Sequence, residues 1–182
     1  MNEYSDKELL EIIRDPDRRH YGFNLLTLKY QKRVYWHIRR IVVDHDDAND
    51  VVQNVFIKVW KSIDSFREDS QVFTWLYRIA TNESLTFLKQ KRSSFFVPLG
   101  DVEHELSNNL STDTYFSGDK IQMKLQQAIL TLPEKQRIVF NLKYFEEMKY
   151  EDMSEVLGTS VGALKASFHH AVQKVEKYLK EH

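Results

Sequence analysis

The 182-residue chain contains no cysteine, and that one absence removes disulfide scaffolds, cysteine zinc sites and thiol nucleophiles together. It fits a reducing compartment. Glycine and proline are scarce, at five and three residues, so few positions supply the tight turns that a β-rich fold consumes. No run approaches the roughly 20 apolar residues that span a bilayer. The opening Met1-Asn2-Glu3-Tyr4-Ser5-Asp6-Lys7-Glu8 lacks the apolar core of a signal peptide. The expected location is therefore cytoplasmic, with no direct membrane insertion. Charge of one sign is missing too. With 26 Lys plus Arg against 27 Asp plus Glu the formal net charge is −1, which argues against a polycation that coats DNA by charge alone. There is no glycine-rich phosphate loop, metal cluster or activated nucleophile, so neither catalysis nor a cofactor is expected.

What is present is helical periodicity. Apolar residues recur at spacings of three and four along both halves, the period of a helix rather than a strand. The expectation is an all-α chain of two small helical domains, 1–92 and 120–182, joined by a flexible linker over 93–119. That middle stretch holds Pro98, Gly100, Gly118 and the polar run Ser107 to Asp113. It carries five acidic residues, Asp101, Glu103, Glu105, Asp113 and Asp119, and no Lys or Arg. The first half has 16 basic and 14 acidic groups and the last half 10 and 8, so near-neutrality is composed of two basic halves and an acidic connector. Solubility of a flexible segment is one sufficient reason for such charge.

In the last half, Leu132-Pro133-Glu134-Lys135 opens a helix with Pro at a favoured position, and Ile138, Val139, Leu142 and Phe145 share its apolar face. A second helix carries Tyr150, Met153, Val156 and Leu157, and Gly158 then supplies a tight turn. Ser160 is the expected N-cap of a third helix. At 100° per residue, that helix gathers Val161, Leu164, Phe168, Ala171, Val172, Val175 and Leu179 on one side. It leaves Lys165, Ala166, His169, His170, Gln173, Lys177 and Lys180 on the other. An apolar back with a basic, small-residue front is the pattern of a helix-turn-helix whose second helix enters a major groove. Ordinary helical hairpins with a solvated Lys and His face share it. Adjacent His169 and His170 diverge by about 100° and have no further ligand at helical spacing, which speaks against a metal site.

In the first half, Asp46-Asp47-Ala48-Asn49-Asp50 leads into the buried stripe Val51, Val52, Val55, Phe56, Val59, Trp60 and Ile63. Asp47, Asp50, Gln53, Asn54, Lys58 and Lys61 lie opposite, as a solvated face or an interface. After the loop 65–70, the helix from Val72 to Arg92 has an apolar arc of Val72, Trp75, Leu76, Ile79, Ala80, Phe87 and Leu88. Thr74, Arg78, Asn82, Lys89 and Arg92 form a far arc about 80° wide, with Leu85 among them. Hydroxyl, amide and basic donors along one edge can follow a phosphate backbone. Trp75 and Tyr77 could stack on bases, with core packing the alternative for Trp75.

These segments resemble the extracytoplasmic-function (ECF) group of bacterial sigma factors. Asp47-Ala48-Asn49-Asp50-Val51-Val52-Gln53-Asn54-Val55-Phe56-Ile57-Lys58-Val59-Trp60 is similar to the family's region 2.2, and Phe73-Thr74-Trp75-Leu76-Tyr77-Arg78-Ile79-Ala80-Thr81-Asn82 to its promoter-melting segment. Leu132 to Arg137 and Tyr150 to Lys165 resemble region 4. The resemblance implies a sigma factor that binds core RNA polymerase, directs it to promoters and initiates transcription, without catalysis of its own. By the same resemblance, Asp47, Asp50, Gln53 and Asn54 dock on the β′ clamp helices, and region 4 sits on the β flap tip. The loop Phe66 to Phe73, with Thr74, Trp75, Tyr77, Arg78, Asn82 and Lys89, takes the displaced single strand of the −10 element, Phe66 being the loop's named contact. Ser160, Lys165, Ala166, His169 and His170 read the −35 duplex. The acidic linker would thread toward a basic channel, and an anti-sigma factor is the expected regulatory partner. Some positions depart from the family pattern: Glu147 and Lys149 stand where a turn Gly and a Ser cap are common, Ser167, His169 and His170 replace common Arg, and Thr86 replaces a frequent Asp. A free-standing helix-turn-helix regulator is the alternative; it explains only the last half.

Overall fold

The computed structural model describes residues 4–95 and 120–182. Helices α1 (Asp6–Arg14), α2 (Arg19–Val42), α3 (His45–Ser62) and α4 (Val72–Phe95) build the first half. Helices α5 (Lys120–Leu130), α6 (Glu134–Tyr144), α7 (Tyr150–Leu157) and α8 (Val161–Glu181) build the second. A 3₁₀ turn, Ile63–Ser65, follows α3, and no strand occurs among the described residues. The chain is all-α, as its periodicity requires. Most of the expected linker, residues 96–119, lies outside the described residues; α4 itself continues through Phe95.

Local chemistry fixes most boundaries. Ser5 and Glu8 form a capping box at α1, each satisfying the other's free backbone N–H. The hydroxyl hydrogen bond from Ser5 holds the Glu8 carboxyl below its usual range. The carboxylate of Asp44 accepts from the N–H groups of Asp46 and Asp47 at 2.9 and 3.0 Å, starting α3. Gly158 ends α7 at φ +61°, a left-handed conformation that costs an L side chain but not glycine. Ser160 then caps α8, its Oγ accepting from Ala163 N at 3.3 Å. Lys149 begins α7 with no side-chain cap and Glu147 has a φ of +52°, so the departures noted in the sequence leave that helix start uncapped.

The main core runs through both halves. Leu9, Ile13, Leu26, Val34, Ile38 and Ile41 meet Val51, Val55, Val59, Leu76 and Ala80, and the same cluster continues into Ile138, Leu142, Met153, Val156 and Leu164. A second cluster under α8 joins Ala128, Ile129, Leu132, Phe140, Ala171 and Val175. The described residues form the two helical units expected, and these also pack against each other, with α7 lying on α4 and α6 on α2. The reason lies in α4. Besides its predicted apolar residues it buries Thr74, Tyr77, Thr81 and Ser84, which lie between and beside Ala80 and Leu88 and widen its covered arc.

Gly22 shows how closely α1 and α2 approach. A Cβ there would meet Ile12 Cγ2 at 2.8 Å and Ile13 Cγ1 at 2.9 Å, distances that packed carbons do not reach.

Candidate nucleic-acid interface

The third helix of the last half presents the face expected of it. On α8, Leu164, Ala171 and Val175 are buried, while Lys165, Ala166, His169, His170 and Gln173 are exposed along one continuous side. Ser160 is exposed and spends its hydroxyl on the cap. The His169 and His170 rings are 6.0 Å apart. Among the described residues, no group of three or more His, Cys, Asp or Glu could hold a metal ion.

The expected −10 residues divide into two sets. Arg78, Asn82 and Lys89 are exposed on α4 and succeed one another at helical spacing, with Thr86 also exposed between them. At 1.5 Å rise per residue this edge is about 16 Å long, enough to follow several nucleotides. Phe66, Thr74, Trp75 and Tyr77 are buried instead. The Phe66 and Trp75 rings meet at a tilt of 33°, their centroids 4.8 Å apart. Together with Ser65, Arg67, Asp69, Ser70, Arg78 and Glu155 they line a cavity of about 380 Å³ at the loop before α4. One wall of that cavity, Glu155, belongs to α7 in the other half.

Thr74 is 2% exposed, and its hydroxyl has no hydrogen-bond partner among the described residues. A buried hydroxyl without a partner is costly. Tyr77 is fully buried, lies tilted at 46° against Phe73 with ring centroids 4.2 Å apart, and donates its hydroxyl to Glu146 Oε2 at 2.5 Å. Burial, reinforced by the Glu146 charge, raises its pKa, so the hydroxyl stays a donor. Beneath it, His37 shares Nε2 with Thr81 Oγ1 at 2.8 Å and lies 4.7 Å from the Tyr77 ring. Complete burial, with the Arg40 charge adding, pushes the pKa of His37 down to about 3, so this imidazole is a neutral core group.

On α3, Asp50, Gln53 and Asn54 are exposed on one face. Asp47 is half-buried and accepts from Lys91 Nζ on α4 at 2.7 Å, which ties it into the fold. Sequence reasoning passed over Ile57, which is 51% exposed on the same side of α3. Its signal was an apolar side chain standing outside the buried stripe of Val51, Val55 and Val59. Arg67 lies in the loop expected to take the strand, whereas Glu155 was passed over and belongs there only because α7 folds onto the other half.

The sequence matches the family model for Sigma-70 region 2 over residues 26–94 and that for Sigma-70 region 4 over residues 122–175. The RNA polymerase sigma-H factor of Pseudomonas aeruginosa is 33% identical over 187 residues, covering 98% of this chain and 96% of the relative. The ECF RNA polymerase sigma-E factor of Haemophilus influenzae is 30% identical over 182 residues, covering 94% of each. Among solved structures, CnrH in complex with the cytosolic domain of CnrY superposes with a TM-score of 0.70 at 21% identity, covering 97% of both chains. The sigma factor RpoE in complex with the anti-sigma factor NepR from Bartonella quintana gives 0.68 at 21% identity, over 87% of this chain and 96% of that one. Both sigma-70 region models in order, with ECF relatives aligned over nearly all of the chain, establish that it belongs to the ECF group of RNA polymerase sigma factors.

Proposed function

We propose that the chain works as a promoter-specificity subunit without catalysis of its own, with its labour divided between the two halves. Region 2, placed at residues 1–92, docks on the polymerase clamp through Asp50, Gln53 and Asn54 of α3, with Ile57 as an apolar anchor at the centre of a polar patch. Its α4 edge, Arg78, Asn82 and Lys89, holds the displaced −10 strand by phosphate contacts. The cavity at Phe66 and Trp75 receives a base turned out of the stack. Region 4, placed at residues 120–182, inserts α8 into the major groove of the −35 element. There, Lys165 supplies a permanent cation and Ala166, His169 and His170 face the base edges. The carrying observation is the exposed face of α8, set up by the left-handed Gly158 turn and the Ser160 cap.

An anti-sigma factor is part of this reading, supported by a structural neighbour that was solved with one. The free-standing regulator leaves residues 26–94, the region 2 match, without a role. Run-off transcription with core polymerase on genomic fragments tests the division of labour. Lys165→Glu is expected to abolish −35-dependent transcripts while leaving core affinity within about twofold. An equal fall in core affinity would refute it.

A further inference from the structure

One carboxylate is held entirely from the other half of the chain. Glu146 sits in the loop between α6 and α7, and its side chain is only 7% exposed. Arg40 Nη1 donates to its Oε1 at 2.9 Å. Tyr77 Oη donates to its Oε2 at 2.5 Å, and Arg33 Nη2 approaches the same oxygen at 3.7 Å. Burying a carboxylate carries a large desolvation cost unless donors replace water. All three of these donors belong to α2 and α4. Arg33 and Arg40 are seven residues apart, two turns along one helix face. The Arg33 guanidinium is steadied over the Phe73 ring at 4.5 Å, a contact within its own half.

Separate the two halves and these donors remain together on region 2 without Glu146. Two guanidinium groups and a phenol hydroxyl, converging on two oxygens, match a phosphodiester as well as they match a carboxylate. The cluster's Tyr77 lies on the same helix as the edge read above as strand-binding: Phe73 and Tyr77 belong to the promoter-melting segment, and Tyr77 stands about 100° round α4 from the exposed Arg78.

We propose that Arg33, Arg40 and Tyr77 form a phosphate-binding site for single-stranded DNA on region 2, and that Glu146 of region 4 occupies this site as an internal substitute for a backbone phosphate. The closed chain and the strand-bound chain are then mutually exclusive. Glu155 acts in the same sense, since it walls the cavity that contains Arg67 and Arg78. This rests on the reading of α4 as the strand-holding helix.

The test uses the full chain, whose lack of cysteine allows specific dye pairs at introduced Asn24→Cys and Lys177→Cys, both exposed sites. Energy transfer reports closure, and anisotropy of a short labelled single-stranded DNA of mixed sequence reports binding. Glu146→Gln is expected to lower energy transfer and tighten DNA binding about tenfold, while the exposed neighbour Glu147→Gln, with the same charge change, does neither. Adding Arg33→Gln or Arg40→Gln to Glu146→Gln is expected to cancel the gain and reduce the salt slope by about one. Unchanged affinity in Glu146→Gln, or a gain that survives loss of both arginines, overturns the proposal. Asn82→Ala with Lys89→Ala in the unlatched background separates the two readings: loss of DNA binding there upholds α4 as the strand-holding helix even if Glu146 proves irrelevant. Circular dichroism excludes misfolded variants, and Glu146→Asp, which keeps the charge on a shorter stem, gives intermediate closure.

Discussion

At the scale of single residues, burial rather than identity decides what a polar group does. His37 would titrate in the neutral range if exposed; enclosed beside Tyr77 and Thr81, its pKa falls to about 3. Folding therefore favours the neutral ring, and the unfolded chain binds the extra proton as pH drops below about 6.5. Its contribution to stability is complete above that value and declines steadily toward pH 3. Relative to His37→Gln, the natural chain is expected to lose about 2 kcal/mol between pH 7 and pH 5, read as the change in urea midpoints of the two proteins. Parallel pH dependence in both would remove His37 from the account. Sequence reading could not see this group, because a histidine on an amphipathic helix carries no sign of which neighbours will enclose it. Lys165 and His169 were legible for the opposite reason: they stand on a face that the apolar stripe of α8 leaves to solvent.

At the scale of elements, punctuation was the most legible part. Gly158, Ser160 and Pro133 each sit where a turn or helix start demands them. Because a Cβ at Gly158 would meet nothing within 4 Å, Gly158→Ala is expected to cost about 1 to 2 kcal/mol through backbone strain alone. Thermal unfolding measures that cost, and a neutral result would mean the turn relaxes out of the left-handed region. What the sequence could not show was the full width of the covered arc of α4. Its apolar arc was read from one period, yet Tyr77, Thr81 and Ser84, between and beside Ala80 and Leu88, are buried as well: His37 of α2 meets Thr81 and the Tyr77 ring, and Glu146 takes the Tyr77 hydroxyl. Short-range periodicity reports one buried stripe; a helix enclosed from several directions mixes small polar residues into the rest, and these read as surface.

At the scale of the whole molecule, the two family regions share one apolar cluster, so their stabilities are linked. Met153 is fully buried on α7 yet belongs to the cluster that holds Leu76 and Ala80. Met153→Ala is expected to destabilise by about 2 to 5 kcal/mol and to raise amide hydrogen exchange in α4 as well as α7. Exchange confined to residues 120–182 would show that the halves are energetically separate. The acidic connector and the two basic halves were plain in the charge pattern, whereas the buried Glu146 was not, since its partners lie 69 to 113 residues away along the chain. That separation has a consequence during synthesis. Helix α4 is complete 51 residues before Glu146, about 3 to 10 s at 5–20 residues per second. For that interval each nascent chain shows Tyr77 and its arginines with the covering carboxylate still unmade, so a cellular partner of that surface meets it before the chain's own cover does.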